Sequence, residues 1–154
     1  MEIKSLKRDS ANAEAGQWVT DIPGMGDVKL KVRGFSSPTV IAIRSRKERA
    51  VPRDDRERDG SLKPAVAMRI MGETMHEAVL LDWDGFTNEG EPLAFDRALA
   101  KDWLTDPDFS AFADAAAWAA QVVDKGLTED KEARGKPSPK SSSGSSNGEA
   151  KSKG

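Results

Sequence analysis

The chain has 154 residues, no cysteine, 24 basic and 26 acidic residues, and a formal charge of −2, with 37% hydrophobic residues. That is enough chain for one domain of ordinary size. The missing cysteine excludes disulfides, thiolate catalysis and cysteine-based zinc sites, and the slightly acidic total excludes a molecule that grips nucleic acid through its overall charge.

Residues 1–16, MEIKSLKRDSANAEAG, lack the apolar stretch of a secretory signal. No run in the chain approaches the ~20 apolar residues of a membrane helix. The expectation is a protein of the cytoplasm, with no membrane partner. Residues 1–16 read as a flexible segment, in which Ile3 and Leu6 are free to rest on a neighbour. Residues 17–34 predict a β-hairpin. Trp18, Thr20 and Ile22 alternate along its first arm. Val28, Leu30 and Val32 alternate with Lys29, Lys31 and Arg33 along the second. Period two is the mark of a half-buried strand, PGMGD supplies the turn, and the Lys/Arg face is expected in water.

A helix is predicted over 37–51. Ser37 is its N-cap, Pro38 takes the first position, and Val40, Ile43, Lys47 and Val51 lie near one stripe. Pro52 stops it. From Arg44 to Arg58 the chain carries Arg44, Arg46, Lys47, Arg49, Arg53, Arg56 and Arg58 among Glu48, Asp54, Asp55 and Glu57. Charges of mixed sign read as a self-paired, solvated face rather than a track for phosphates.

The next helix is predicted over 62–81, with Val66, Ile70, Met71, Met75, Ala78 and Val79 on its apolar face. Gly72 costs it roughly 1 kcal/mol relative to alanine and suggests a bend. Asp96 caps a short helix over 97–104 that turns Leu99, Trp103 and Leu104 inward. Asp106 caps another over 107–124, with Pro107 in the first position and Asp108 favouring the helix dipole. Its inner stripe is Phe109, Phe112, Ala116, Ala119 and Val123, with Trp118 and Val122 beside it, and Gly126 ends it. Residues 127–154 hold one leucine and no aromatic residue. They read as a disordered Ser/Gly/Lys-rich tail, because such a segment cannot offset its ordering entropy by burial. The predicted fold is α+β: a mainly helical single domain over 17–126 with an N-terminal β-hairpin. Its predicted aromatic core is Trp83, Phe95, Trp103, Phe109, Phe112 and Trp118.

The stretch most suggestive of chemistry is residues 80–95, LLDWDGFTNEGEPLAF. A calcium loop needs oxygen ligands at alternate positions and a glycine sixth. Counting from Asp82, Gly85 comes fourth; counting from Asp84, Phe86 takes the third place. The stretch therefore reads as a surface connector: Leu80, Leu81, Trp83 and Phe86 tuck in, TNEGEP turns, and Leu93 and Phe95 return to the core. His76, the single histidine, has no nucleophile or metal signature beside it and reads as a boundary residue. PGMGD lacks phosphate-loop spacing. No catalytic, cofactor or metal site is predicted, and an enzyme is not expected.

Three phrases taken together, GQWVTDIPGMGDVKLKVRGF, then WDG with GEPLAF, then WLTDP closing a short helix, resemble the tail assembly chaperones and small tail-cluster proteins of long-tailed bacteriophages. The resemblance spans about residues 17–123, and it is one of turns and core positions without a catalytic signature. It implies a non-enzymatic protein that binds the tape measure protein, helps recruit tail tube subunits and is absent from the finished particle. Met68, Met71 and Met75 would suit a permissive partner-binding surface, or else are core residues. The alternatives are a minor structural or connector protein of the tail and, more remotely, a nucleic-acid-binding regulator using residues 44–58; self-association is left open. The resemblance also implies that a longer form made by ribosomal slippage can accompany the short one, and Gly135-Lys136 is a dipeptide that a slippery codon pair such as GGA-AAG can encode.

Overall fold

The computed structural model describes residues 1–126. The tail expected over 127–154, including Gly135 and Lys136, lies outside them. The described residues form one domain of five α-helices and two small antiparallel sheets.

The hairpin strands are β1 (Gln17–Val19) and β2 (Lys29–Val32), with Trp18 opposite Lys31 and Val19 opposite Leu30. Val28, Leu30 and Val32 are buried, as their alternation predicts. Two residues depart from the sequence reading. Trp18 lies on the outer face, 39% exposed. Arg33 is half-buried and donates from Nε to the Glu14 carbonyl at 2.9 Å and from a terminal nitrogen to the Ala78 carbonyl at 3.1 Å.

The start of the chain is not loose. Ser10–Ala15 form helix α1, capped by Asp9, whose carboxylate accepts from the Asn12 amide and side chain. Ala13 is fully buried and its carbonyl accepts from the Gly34 amide at 3.0 Å. Six residues rich in alanine carry no apolar stripe, and polar bonds hold the helix down. Ile3 and Leu6, ahead of it, stay exposed.

Helix α2 (Pro38–Arg49) has Ser37 as N-cap, its hydroxyl accepting from the Val40 amide. Helix α3 (Pro64–Thr74) runs into a π-turn over Met75–Val79. Lys47 of α2 ties to both, 3.3 Å from Glu73 and 2.5 Å from Glu77. These carboxylates, Glu77 first, raise the Lys47 pKa. The chain then turns directly into strand β3 (Leu80–Asp84), which pairs with β2 and completes a sheet of order β1-β2-β3. So the helix expected to reach residue 81 ends earlier, and the supposed connector begins as a strand. The register slips where Val32 faces Leu80 and Lys31 faces Asp82, leaving Leu81 as an extra residue. Strict alternation would send Leu80 and Trp83 to opposite faces; the bulge lets both turn inward, and both are buried.

Strands β4 (Thr87–Asn88) and β5 (Glu91–Pro92) form a ribbon closed by Glu89 and Gly90, at φ 50° and 85°. Positive φ at both central residues is the type I′ geometry that fits strand twist, and glycine supplies it without strain. Helix α4 (Arg97–Thr105), capped by Asp96, packs against α3. Helix α5 (Ser110–Asp124) lies against β1 and β2 and also packs on α1 and α4. Phe112, Ala115, Ala116, Ala119, Ala120 and Val123 form its buried side. So many alanines allow the helix to approach the sheet closely.

Two carboxylates lock the ends of this assembly. Asp124 accepts from the Phe35 and Ser36 amides and the Ser36 hydroxyl. Glu14 accepts from the Ser37 hydroxyl and from the Thr39 amide and hydroxyl, at 3.1 and 2.6 Å for the latter two. The Ser37 hydroxyl first, then Thr39, with Arg33 nearby, lower the Glu14 pKa from 4.5 to about 2.

A depressed folded-state pKa means that the bonds of Glu14 stabilise the fold above the unfolded value and that this contribution fades as pH falls toward 2. The melting-temperature gap between the natural chain and Glu14→Gln is therefore expected to be constant above pH 5 and to narrow from about pH 4.5 downward; a gap that widens on acidification would contradict the assignment. Gly72 provides a second test. A Cβ added there would stand 2.9 Å from the Leu104 carbonyl oxygen of α4, so this glycine permits close helix approach and marks no bend of its own. Gly72→Ala should lose about 1–3 kcal/mol in urea unfolding through overpacking, opposite in sign to the ~1 kcal/mol gain expected from helix propensity alone.

Candidate functional site

The acidic residues of 80–96 are dispersed rather than gathered. Asp82 accepts from the Trp83 amide, Asp96 caps α4, and Glu89 and Glu91 sit on the exposed ribbon. Among the described residues no three His, Asp or Glu side chains come together to hold a metal ion. His76 is half-buried, with Nε2 3.1 Å from the Arg97 carbonyl. Burial, then the charges of Arg97 and Lys101, push its pKa down. Nε2 donates to that carbonyl and so joins the π-turn to α4.

Much of the basic stretch is engaged internally. Arg44 pairs with Glu48 at 3.0 Å, Arg49 donates to Ser45, and Arg56 donates to the carbonyls of Glu48, Val51 and Gly60. The last arrangement places a cation at the C-terminal end of α2, where the helix dipole favours it. Beside α2 lies a shallow hollow of about 220 Å³ lined by Phe35, Val40, Ile41, Arg44, Ser45 and Glu48.

The aromatic residues form the most organised feature of the molecule. Trp83 stacks on Trp103 at 5.0 Å and 14°, and meets Phe86, Phe95 and Phe112 edge-on. Its indole N–H donates to the Leu93 carbonyl at 2.9 Å. Trp103 in turn stacks on Phe109 at 5.6 Å and 16°. Of the six expected core aromatics, Trp83 and Phe112 are buried, and Phe95 and Trp103 are partly buried against the core. Phe109 and Trp118 are corrected to the surface, 44% and 36% exposed. Phe109 belongs to a 3-10 turn, Pro107–Phe109, so the helical stripe of α5 does not extend to it. Trp118 follows Ala116 by two residues, which at about 3.6 residues per turn puts it on the far side of α5.

The methionines divide as well. Met75 is buried, whereas Met68 is 75% and Met71 37% exposed. Residues four apart share one side of an α-helix. Met75, Ala78 and Val79 of the π-turn are buried, while Met71, one α-turn before Met75, is left partly exposed. Sequence reasoning named Trp83 as a core residue but missed β3, the strand that carries it. The signal was present in the alternation of Leu81, Asp82, Trp83 and Asp84, overshadowed by the helical pattern running into it.

Phe112→Ala should cost about 3–5 kcal/mol in chemical denaturation, and Phe109→Ala only about 0.5–1.5 kcal/mol, the worth of its ring stack. Equal losses would mean that Phe109 is as enclosed as Phe112.

No helix among the described residues is long and apolar enough to cross a membrane. Searches of curated proteins and of solved structures each returned no match. The family model of the YdaY prophage protein matches residues 35–136, from the turn before α2 to beyond the end of α5 and about two thirds of the chain, so the chain belongs to this phage-derived family.

Proposed function

We propose that the chain is a non-enzymatic chaperone of phage tail assembly, one that holds the tape measure protein in the host cytoplasm and assists tail tube assembly. Its phage-derived family is consistent with this role, as are the tail-chaperone-like phrases of its sequence. The observation that carries the reading is the exposed pair Met68 and Met71 on α3. Methionine is unbranched and polarisable, so it adapts to partners of imperfect fit. A long helical partner with apolar stripes needs such a surface, and the docking mode would be one helix face laid against another. An apolar surface on a small monomeric domain calls for a partner when it is contiguous, and these two residues lie one turn apart.

Co-expression with the tape measure protein of a long-tailed phage provides the test. The partner should be recovered soluble and bound. Met68→Glu with Met71→Glu should abolish recovery while leaving the fold within about 0.5 kcal/mol of the natural chain, as exposed substitutions do. Unchanged recovery would remove the methionine surface from the account. Retention of the protein in purified particles would favour a structural connector instead.

A further inference from the structure

The rings of Trp83, Trp103 and Phe109 form a near-parallel stack that begins in the core and ends at the surface. Trp83 is 4% exposed, Trp103 is half-buried and Phe109 is 44% exposed. The open end lies within the most acidic part of the chain. Residues 80–114 hold nine acidic and two basic residues, a net of −7. The two cations, Arg97 and Lys101, act on His76, on the α3 side of α4. Around the outer ring, Asp106 and Asp108 belong to the same turn as Phe109, with the Asp106 carboxylate fixed on the Asp108 amide at 2.9 Å, and Asp102 precedes Trp103. Asp102 and Asp108 are exposed.

We propose that this platform is a docking site for an arginine-bearing basic segment of a partner polypeptide, with a guanidinium continuing the ring stack over Phe109 and the Asp102, Asp106 and Asp108 carboxylates supplying the counter-charge. A guanidinium is planar and weakly hydrated, so it stacks on an aromatic face, and its donors match carboxylates; an ammonium offers only a point charge. Nucleic acid suits the site poorly, since phosphates would meet a net charge of −7. A second copy of the chain would have to offer its own arginines, of which Arg44, Arg49 and Arg56 already engage acceptors of their own chain. The proposal uses neither Met68 nor Met71 and stands independently of the chaperone reading.

The probe is a decapeptide of alternating arginine and alanine, with its lysine twin, titrated against the full chain at physiological salt with tryptophan fluorescence as readout. Saturable binding is expected, tighter for the arginine peptide by about two- to fivefold, the range of an exposed cation–π contact. Phe109→Ala and Phe109→Leu should both erase that difference, the second without removing apolar bulk. Asp106→Asn with Asp108→Asn should weaken both peptides. Equal affinities in the natural chain, or an arginine preference that survives both Phe109 variants, would overturn the proposal. Tighter peptide binding by Arg134→Gln with Lys136→Gln would also overturn it, by giving the platform to the chain's own terminus.

Discussion

The indole of Trp83 is the point through which the sheet, the ribbon and the last two helices are joined. It lies on an edge strand, yet touches rings from the following loop, from α4 and from α5, and its N–H reaches the carbonyl of Leu93 beyond the ribbon. A buried indole must both fill its volume and satisfy its donor. Meeting the two demands fixes where the chain goes after β3: Phe86 must fold under the ring, the ribbon must turn within two residues, and Leu93 must return within reach. The bulge at Leu81 is the local condition for this, because without it Leu80 and Trp83 could not share a face.

The opposite end of the domain is organised by charge. The 34–37 turn and the start of α2 expose amides that no helical carbonyl can satisfy. Glu14 and Asp124, one from each end of the described chain, accept from those amides and from the hydroxyls beside them. Gly34 leaves the room required: a Cβ there would stand 2.2 Å from the Asp124 carboxylate. The N-terminal helix is therefore part of the domain although it contributes little apolar area. Aromatic packing at one end and charge-assisted hydrogen bonds at the other should respond differently to acid, since only the second depends on ionised carboxylates.

What was legible in the sequence follows from which force shapes each element. The strand of Val28, Leu30 and Val32, the caps Ser37, Asp96 and Asp106, and the stripe of α5 are encoded within a few residues of themselves, and they could be read there. Helix α1 is held by partners far along the chain, and local pattern gives no hint of Glu14 meeting Thr39. The end of α3 was misplaced because a π-turn breaks the period that helical reading relies on. The aromatic cluster was legible in composition but not in detail: Phe109 and Trp118 look like core residues until the 3-10 turn and the far side of α5 place them outside. The surface methionine Met68 could be named as a partner-binding candidate, yet the exposed end of the ring stack could not, because it depends on β3 and the fold of the acidic loop.

The charges of the domain are also sorted along the chain. Residues 1–76 hold fifteen basic and eleven acidic residues, against the net of −7 over 80–114. Nearly neutral overall, the chain is thus far from neutral locally. Such a distribution turns an approaching partner before contact, and its effect is felt in association rate and salt dependence more than in the final affinity. Affinity has to come from surface that loses water on docking, and here such surface is scattered: two methionines on α3, the outer ring of a stack, and the separately exposed Trp18, Ile41 and Trp118. A few apolar anchors within charged surroundings give binding that is selective but readily reversed. That balance is what the proposed role, holding a partner and then letting it go, would require.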